Sequence, residues 1–177
     1  VRNIDGLYTY FNESVDVVSK KEFDEGYKLF YLDFTNDGEE DVVLLNTAAY
    51  DTFKFITVID NKFQLIQTEG IETLYSFDIE INGQFIIVTG HPSGTGLSGE
   101  YKKIAVYHDH KIKVVTDKLY IEYFAGAQSY DEGVGEIKLL DRYNEFSYRY
   151  KEYFIAGDTK EQKIAVNLRY KYDEEKA

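Results

Sequence analysis

Apolar residues alternate with polar residues along much of this chain, as they do in β-strands. The C-terminal segment has the most regular pattern, because an apolar residue occupies every second position from Ile164 to Tyr172. Successive side chains of a strand point to opposite faces, so this period of two predicts a half-exposed antiparallel strand. Residues 42–45 are instead apolar at every position, which is typical of a strand buried on both faces.

Turn residues separate further segments of this kind. Asn82-Gly83 is the clearest hairpin signal, since this dipeptide tolerates the positive φ angles of a type I′ turn. Asp60-Asn61-Lys62 and Asp109-His110 predict two more turns between strands. The predicted strands begin at Tyr27 and Val42 and continue at 52–59, 63–68, 76–81, 84–88, 100–107, 111–115, 118–124, 136–140, 145–155 and 163–172, with glycine-containing loops at 90–99 and 125–135.

The first 26 residues lack this alternation. Ser19 and Glu22 have the spacing of a capping box, and Gly26 is suited to end a short helix through residues 20–25. An irregular lead-in is the alternative for this segment.

Together these elements predict a single all-β domain over residues 1–177, built mostly as an antiparallel meander. Segments roughly 60 residues apart resemble one another, namely EDVVL (40–44), KIAVY (103–107) and KIAVN (163–167). Degenerate repeat units are therefore predicted near 27–75, 76–125 and 136–172. The alternative is that an ordinary meander of alternating strands produces such similar segments by chance.

Composition supports the fold class and limits the partners. The chain has 17 Tyr and 12 Phe but no Trp and a single Pro, a composition that favours pleated sheets. The net charge of −12 makes nucleic acids and anionic membrane surfaces poor partners, since both are negatively charged. Without Cys the chain has neither disulfides nor thiolate sites, and no apolar stretch is long enough to predict membrane insertion.

The most distinctive polar segment is the loop DFTNDGEED (33–41), which contains five carboxylates and no Lys or Arg. Calcium takes about six to eight oxygen ligands from carboxylates, carbonyls and water. Gly38 permits the positive φ with which a chain curls around an ion. We therefore predict a Ca²⁺ site in this loop, and a solvated acidic turn is the alternative. The candidate ligands, at every second position, are Asp33, Thr35, Asp37, Glu39 (through its backbone carbonyl) and Asp41.

The segment YLDFTNDGEEDVVLL (31–45) resembles the calcium loops of the FG-GAP/VCBS repeat family. In that family D-x-[DN]-x-D-G-x-x-D lies between strands of a β-propeller blade, and Thr35 stands where Asn or Asp is usual. The clear resemblance covers residues 29–46. It implies a structural calcium ion and a partial or small propeller-like array, with a β-sandwich or barrel carrying one such loop as the alternative.

Two other motifs are weak evidence for a functional site. Gly94–Gly99 matches the G-x-G-x-x-G of dinucleotide sites, but that fingerprint requires a helix to begin there, and the pattern predicts a strand. His108 and His110 are spaced like a zinc pair on one strand face. A turn is predicted at Asp109-His110, however, and no third ligand is evident.

From these observations we expect a non-enzymatic binding or interaction domain whose 33–41 loop is rigidified by calcium. The chain begins at Val1 rather than Met, and we interpret it as mature or trimmed, from a secreted or bacterial envelope protein. Its partner would be an unknown protein or a carbohydrate. One alternative is a carbohydrate-active hydrolase or sugar-binding module. Another is a cytoplasmic immunity-like protein whose acidic surface binds its partner.

Overall fold

The structure is a computed structural model that describes residues 3–47, 52–69, 71, 76–92, 96–116, 118–126, 129–140 and 145–172. Two helices come first, α1 (Ile4–Ser14) and α2 (Lys20–Gly26). The strands follow as β1 (Tyr27–Leu32), β2 (Asp41–Asn46), β3 (Thr52–Ile59), β4 (Lys62–Glu69), β5 (Ser76–Asn82), β6 (Phe85–Gly90), β7 (Leu97–His108), β8 (Lys111–Val114), β9 (Leu119–Gly126), β10 (Ser129–Leu139), β11 (Glu145–Ala156) and β12 (Thr159–Lys171). The predicted all-β class is confirmed.

The described strands join in one open sheet, in the order β1-β2-β3-β4-β8-β7-β9-β10-β11-β12, with β5 and β6 attached beside β7. Within the described ranges every pairing is antiparallel except the short contact between β4 and β8. The mostly antiparallel meander is therefore confirmed, and it forms a continuous sheet rather than separate blades. β7 connects the two halves, because it pairs with β6 along one edge and with both β8 and β9 along the other.

The sheet folds back on itself and buries apolar side chains in three clusters. The central cluster lies between β1–β4 and β5–β8 and includes Phe34, Val43, Phe55, Ile86 and Ile112. The helix cluster packs α1 and α2 on β1–β3 and includes Leu7, Phe11, Phe23 and Leu44. The arm cluster joins β6 and β7 to β9 and β11 and includes Phe85, Ile87, Ile104, Phe146 and Tyr148.

β2 is buried on both faces, as the continuous apolar run at 42–45 predicts. Val43 points into the central cluster and Leu44 into the helix cluster, and neither side chain is exposed. Burial of such a side chain contributes roughly 1.5–3 kcal/mol. β2 is therefore a strongly stabilised strand, and the acidic loop ends at its first residue, Asp41.

The capping box predicted for the second helix is confirmed. Ser19 Oγ accepts a hydrogen bond from Glu22 N at 3.2 Å, and a Glu22 carboxylate oxygen accepts one from Ser19 N at 2.8 Å. α1 was not predicted, although its sequence contains a signal. Asn3 caps its N-terminus by accepting from Gly6 N, and Leu7 and Phe11, one turn apart, are both buried.

The three predicted hairpin turns are present, and one of them is shifted by one residue. Asp109 and His110 have φ angles of 49° and 59°, as a type I′ turn requires, and Asp60-Asn61 behaves in the same way. In the third hairpin Asn82 pairs with Phe85, so Gly83-Gln84 forms the turn rather than the predicted Asn82-Gly83. Gly83, with φ 59°, is the first central residue, the position that needs positive φ in a type II′ turn.

Two predicted loops are shorter than expected. β7 begins at Leu97, so only part of the 90–99 segment is loop, and Ser93, Gly94 and Thr95 lie outside the described residues. β9 extends to Gly126 and β10 begins at Ser129, so the predicted loop at 125–135 is wrong for residues 125–126 and 129–135. In the part of the chain that the structure describes, no helix is long and apolar enough to span a bilayer.

The three similar segments at 40–44, 103–107 and 163–167 lie in or at the start of β2, in β7 and in β12. The repeat units themselves stay a prediction, and the end of the first unit, at 70 and 72–75, lies outside the described residues.

Candidate functional site: the acidic loop and the C-terminal arm

The acidic loop closes the hairpin between β1 and β2. Leu32 and Asp41 form the last pair of the ladder, and the loop extends from there. Phe34 is buried and anchors the loop, with its ring centroid 5.4 Å from that of Phe55 and 6.0 Å from that of Tyr107. The strand–loop–strand frame predicted for this segment is therefore present.

Asp41 is the internal anchor of this loop. Its side chain is almost fully buried, with the residue 2% exposed. One carboxylate oxygen accepts hydrogen bonds from Phe34 N, Thr35 N and Thr35 Oγ1, each at 3.0 Å. Burial raises the pKa of Asp41, and hydrogen bonds from Thr57 and Thr35 partly oppose that rise. Thr35 and Asp41, both predicted ligands, thus bind each other.

Two other candidate ligands, Asp33 and Asp37, cap backbone groups of the same loop. The two oxygens of Asp33 accept from Asp37 N at 3.1 Å and from Gly38 N at 2.9 Å, and Asp37 accepts from Glu39 N at 2.9 Å. Gly38 has φ 90°, as predicted. These hydrogen bonds hold the loop in a compact turn, with Asp37 and Glu39 exposed to solvent.

This donor set has the chemistry of a hard-cation site, since all of its groups are oxygens. Among the described residues, however, no three His, Cys, Asp or Glu side chains lie close enough to hold a metal. Backbone carbonyls and water would therefore have to complete the coordination, as they commonly do for calcium.

The turn between β7 and β8 lies beside this loop, a proximity that the sequence did not predict. Burial, together with the negative charges of Asp41 and Asp37, raises the pKa of Tyr107. The Tyr107 hydroxyl is 3.2 Å from His110 Nδ1, and His108 Nε2 is 3.5 Å from Asp109. The two imidazoles thus contact different neighbours.

Three cavities bear on the hydrolase alternative. One, of about 340 Å³, lies between α1 and the acidic loop, and its carboxylates are the adjacent Glu39 and Glu40. Another, of about 580 Å³, is an apolar groove floored by Phe85, Phe146 and Tyr170, with no acidic residue in its lining. A glycosidase places two carboxyl groups across the scissile bond. The first two cavities lack that arrangement. The third, of about 450 Å³, is lined by Glu100 and Glu122, which are directly opposed on β7 and β9. The hydrolase and sugar-binding alternatives stay predictions.

The C-terminal arm, β10–β12, is the second candidate region. Its inner face packs on the arm cluster, where the Tyr148 hydroxyl donates to Tyr120 O at 2.8 Å. Burial raises the pKa of Tyr148 to about 12. An added Cβ would lie 1.9 Å from Tyr120 O at Gly135, and 2.1 Å from the hydroxyl oxygen of Tyr150 at Gly133. The glycines that suggested a loop instead make room for tyrosines.

β12 forms the free edge of this arm. Of its 13 residues, 12 pair with β11, and in the described sheet it is the last strand. Ile164 and Leu168 are 42% and 43% exposed. The predicted half-exposed antiparallel strand is confirmed, and its position at an edge is the feature that sequence reasoning missed.

Comparisons with protein-family models, curated proteins and solved structures found no match to this chain. The resemblance of residues 29–46 to FG-GAP/VCBS repeats stays a prediction.

Proposed function

We propose that this chain is a non-enzymatic, extracytoplasmic binding domain whose partner protein adds a strand to the free edge of β12. The observation that carries this proposal is the length and exposure of that edge. A long edge strand presents unpaired backbone N–H and C=O groups, which another strand can pair with. In strand addition these main-chain bonds supply affinity, and alternate side chains supply specificity.

Ile164 and Leu168 are the side chains that such a strand would contact. Both lie on the face that β12 shares with Tyr148, because Leu168 pairs directly with Tyr148 and Ile164 is four residues before Leu168. The two side chains keep more than a third of their surface exposed. An added strand that presents apolar residues at alternate positions would cover them.

The first part of β12 is less suited to strand addition. The register shifts between Glu152 and Tyr153, and Lys160 and Lys163 make ion pairs with Glu132 and Asp131. Bulges and lysines are the devices that protect sheet edges from indiscriminate pairing. The proposed docking segment is therefore the regular part of the edge, residues 164–171.

The experiment selects extended peptides that bind the full chain and maps them by amide hydrogen exchange. We expect bound peptides to slow exchange in β12, and Ile164→Lys/Leu168→Lys to weaken their binding about tenfold, because strand addition there would bury two charges. Val17→Lys is the matched control, since Val17 is 86% exposed and lies between the helices. Peptides that protect another region and still bind the double variant would contradict the proposal.

We propose separately that calcium supports the 33–41 loop. The exposed Asp37, the carboxylate of Asp33 and the carbonyl of Glu39 would hold the ion, while Thr35 and Asp41 fix the loop from inside. Bound calcium would offset the repulsion among five carboxylates that no Lys or Arg of the loop compensates.

A further inference from the structure

The outer face of the arm is rich in cations. β10, β11 and β12 pair in register, so directly opposed residues share a face. One face packs on the arm cluster, and the other, which we call the outer face, is exposed to solvent. The cationic side chains at its exposed positions are Lys138, Arg149, Lys151, Arg169 and Lys171.

Carboxylates only partly neutralise this face. Glu136 lies 3.1 Å from Lys138, and Glu145, at the end of β11, binds Arg169. Arg149, which is directly opposed to Glu136, and Lys151 are both exposed, and neither forms an ion pair with another described residue. At positions 134–138, 145–151 and 165–171 of this face, five cations face two carboxylates, in a chain whose net charge is −12.

We infer that the outer face binds an acidic segment of the partner protein, the same partner whose strand pairs with β12. This inference rests on the proposed function and adds the charge of the partner. Exposed charges act over about 8 Å at physiological ionic strength. Arg149 and Lys151 are on the strand adjacent to β12, so a segment docked at the edge lies roughly 10 Å from their backbone. Their long side chains can bring the charges closer to its carboxylates than that.

An acidic protein fits this face better than a nucleic acid does. The rest of the chain is strongly negative and would repel a long polyanion. Recognition of single strands also uses aromatic side chains for base stacking. From 134 to 138, 147 to 151 and 165 to 171, the outward side chains include no aromatic ring. The ring of Tyr153, the next outward position of β11, has Lys160 over its face.

A second copy of this chain fits the edge poorly. In an antiparallel edge-to-edge pairing of two β12 strands centred on Tyr170, Arg169 of each copy would lie opposite Lys171 of the other, and like charges opposite each other are destabilising. The outer face thus disfavours self-pairing in that register while it favours an acidic partner.

The test uses two labelled peptides of 13 residues, the length of β12. One alternates Thr and Glu, and the other alternates Thr and Lys. Fluorescence anisotropy measures their binding to the full chain, with a single-stranded oligonucleotide as a third probe. We expect the Thr-Glu peptide to bind, the other two probes to bind at least tenfold more weakly, and added salt to weaken the complex.

Charge variants locate the effect. Arg149→Glu/Lys151→Glu should weaken Thr-Glu peptide binding about tenfold, since two attractions become repulsions. Arg149→Gln/Lys151→Gln should give a smaller loss. Lys21→Glu/Lys62→Glu is the matched control, because it gives the same net charge on other exposed elements and should leave binding unchanged.

Several outcomes would overturn the inference. If the outer-face and control variants lose equal affinity for the Thr-Glu peptide, net charge alone explains the effect. Preference for the Thr-Lys peptide would make the acidic surface the interface, and preference for the oligonucleotide would make the partner a nucleic acid. A dimer that the outer-face variant dissociates, measured by sedimentation, would make the partner a second copy. Should Ile164→Lys/Leu168→Lys abolish binding while the outer-face variants do not, strand addition stands and the acidic preference falls.

Discussion

The tetrapeptide Lys-Ile-Ala-Val occurs twice in this protein, in two different environments. In β7 it is residues 103–106, where Ile104 and Ala105 are completely buried. In β12 it is residues 163–166, where Ile164 is 42% exposed. Both copies are strands, so local sequence is sufficient for the backbone conformation. Burial depends on the position in the sheet.

Neighbouring strands produce this difference. β7 has β6 on one side and both β8 and β9 on the other, and its two faces contribute to the central and arm clusters. β12 has only β11 beside it in the described sheet, and only one of its faces packs on a cluster. The N-terminal and middle strands thus form a core, and the arm keeps a surface available for binding.

The largest expected effect tests this contrast directly. Ile104→Ala should cost about 2–5 kcal/mol of unfolding free energy, because it leaves a cavity in a packed core. Ile164→Ala should cost less than about 1 kcal/mol, since the side chain is already partly in water. Urea unfolding of both variants measures the difference, and equal losses would show that β12 is covered in solution.

A second substitution asks how tightly the inner face of the arm is packed. Gly135→Ala should destabilise the protein by about 1–3 kcal/mol, because its Cβ would collide with the backbone of Tyr120 and the ring of Tyr148. Gly26→Ala is the control, since a Cβ there meets no atom within 4 Å. Thermal unfolding compares the two. If Gly135→Ala leaves the thermal stability unchanged, the inner face of the arm accommodates an added methyl group more easily than the core.

A third prediction contrasts the buried Asp41 with the exposed charges of the arm. Its raised pKa means that the folded protein binds this proton more tightly than the unfolded chain, whose value is near 3.8. Between that value and the raised one, the stability contributed by Asp41 falls as pH rises, and above this window it is constant. Asp41→Asn removes the titration and should cost about 1–3 kcal/mol at neutral pH, because an amide oxygen replaces the charged acceptor of three hydrogen bonds.

Urea unfolding at a series of pH values measures this effect. The stability of the unmodified protein relative to Asp41→Asn should decrease as pH rises through the window. The same substitution at the exposed Glu13, Glu13→Gln, serves as the control. A difference between the unmodified protein and Asp41→Asn that does not vary with pH would contradict the prediction.

The smallest expected effect concerns calcium. Millimolar Ca²⁺ should raise the melting temperature by about 3 °C, which corresponds to roughly 1 kcal/mol for a domain of this size. Asp37→Ala should abolish that rise, whereas Asp109→Ala, in the neighbouring turn, should retain it. An unchanged melting temperature in the unmodified protein would leave the loop as a self-capped acidic turn.

The sequence determined the local structure of most of this protein. The turn residues Asp60-Asn61 and Asp109-His110 predicted two hairpin turns, and both pairs have positive φ angles in the structure. The capping box at Ser19 predicted α2. The apolar run at 42–45 predicted a strand buried on both faces. These features depend on the residue itself and its near neighbours, so they can be read in chain order. α1 had similar signals in Asn3, Leu7 and Phe11 that were not recognised.

Contacts between distant residues decided the rest. Residues 129–135 are strand because tyrosines from β11 cover Gly133 and Gly135, and no neighbour in sequence supplies that contact. In the acidic loop, Asp41 looked like one of five equivalent oxygen donors. Burial made it the anchor of the loop and left Asp37 exposed. The identical Lys-Ile-Ala-Val segments became core and edge only through strand order, because burial depends on the number of layers and strands that pack around a residue.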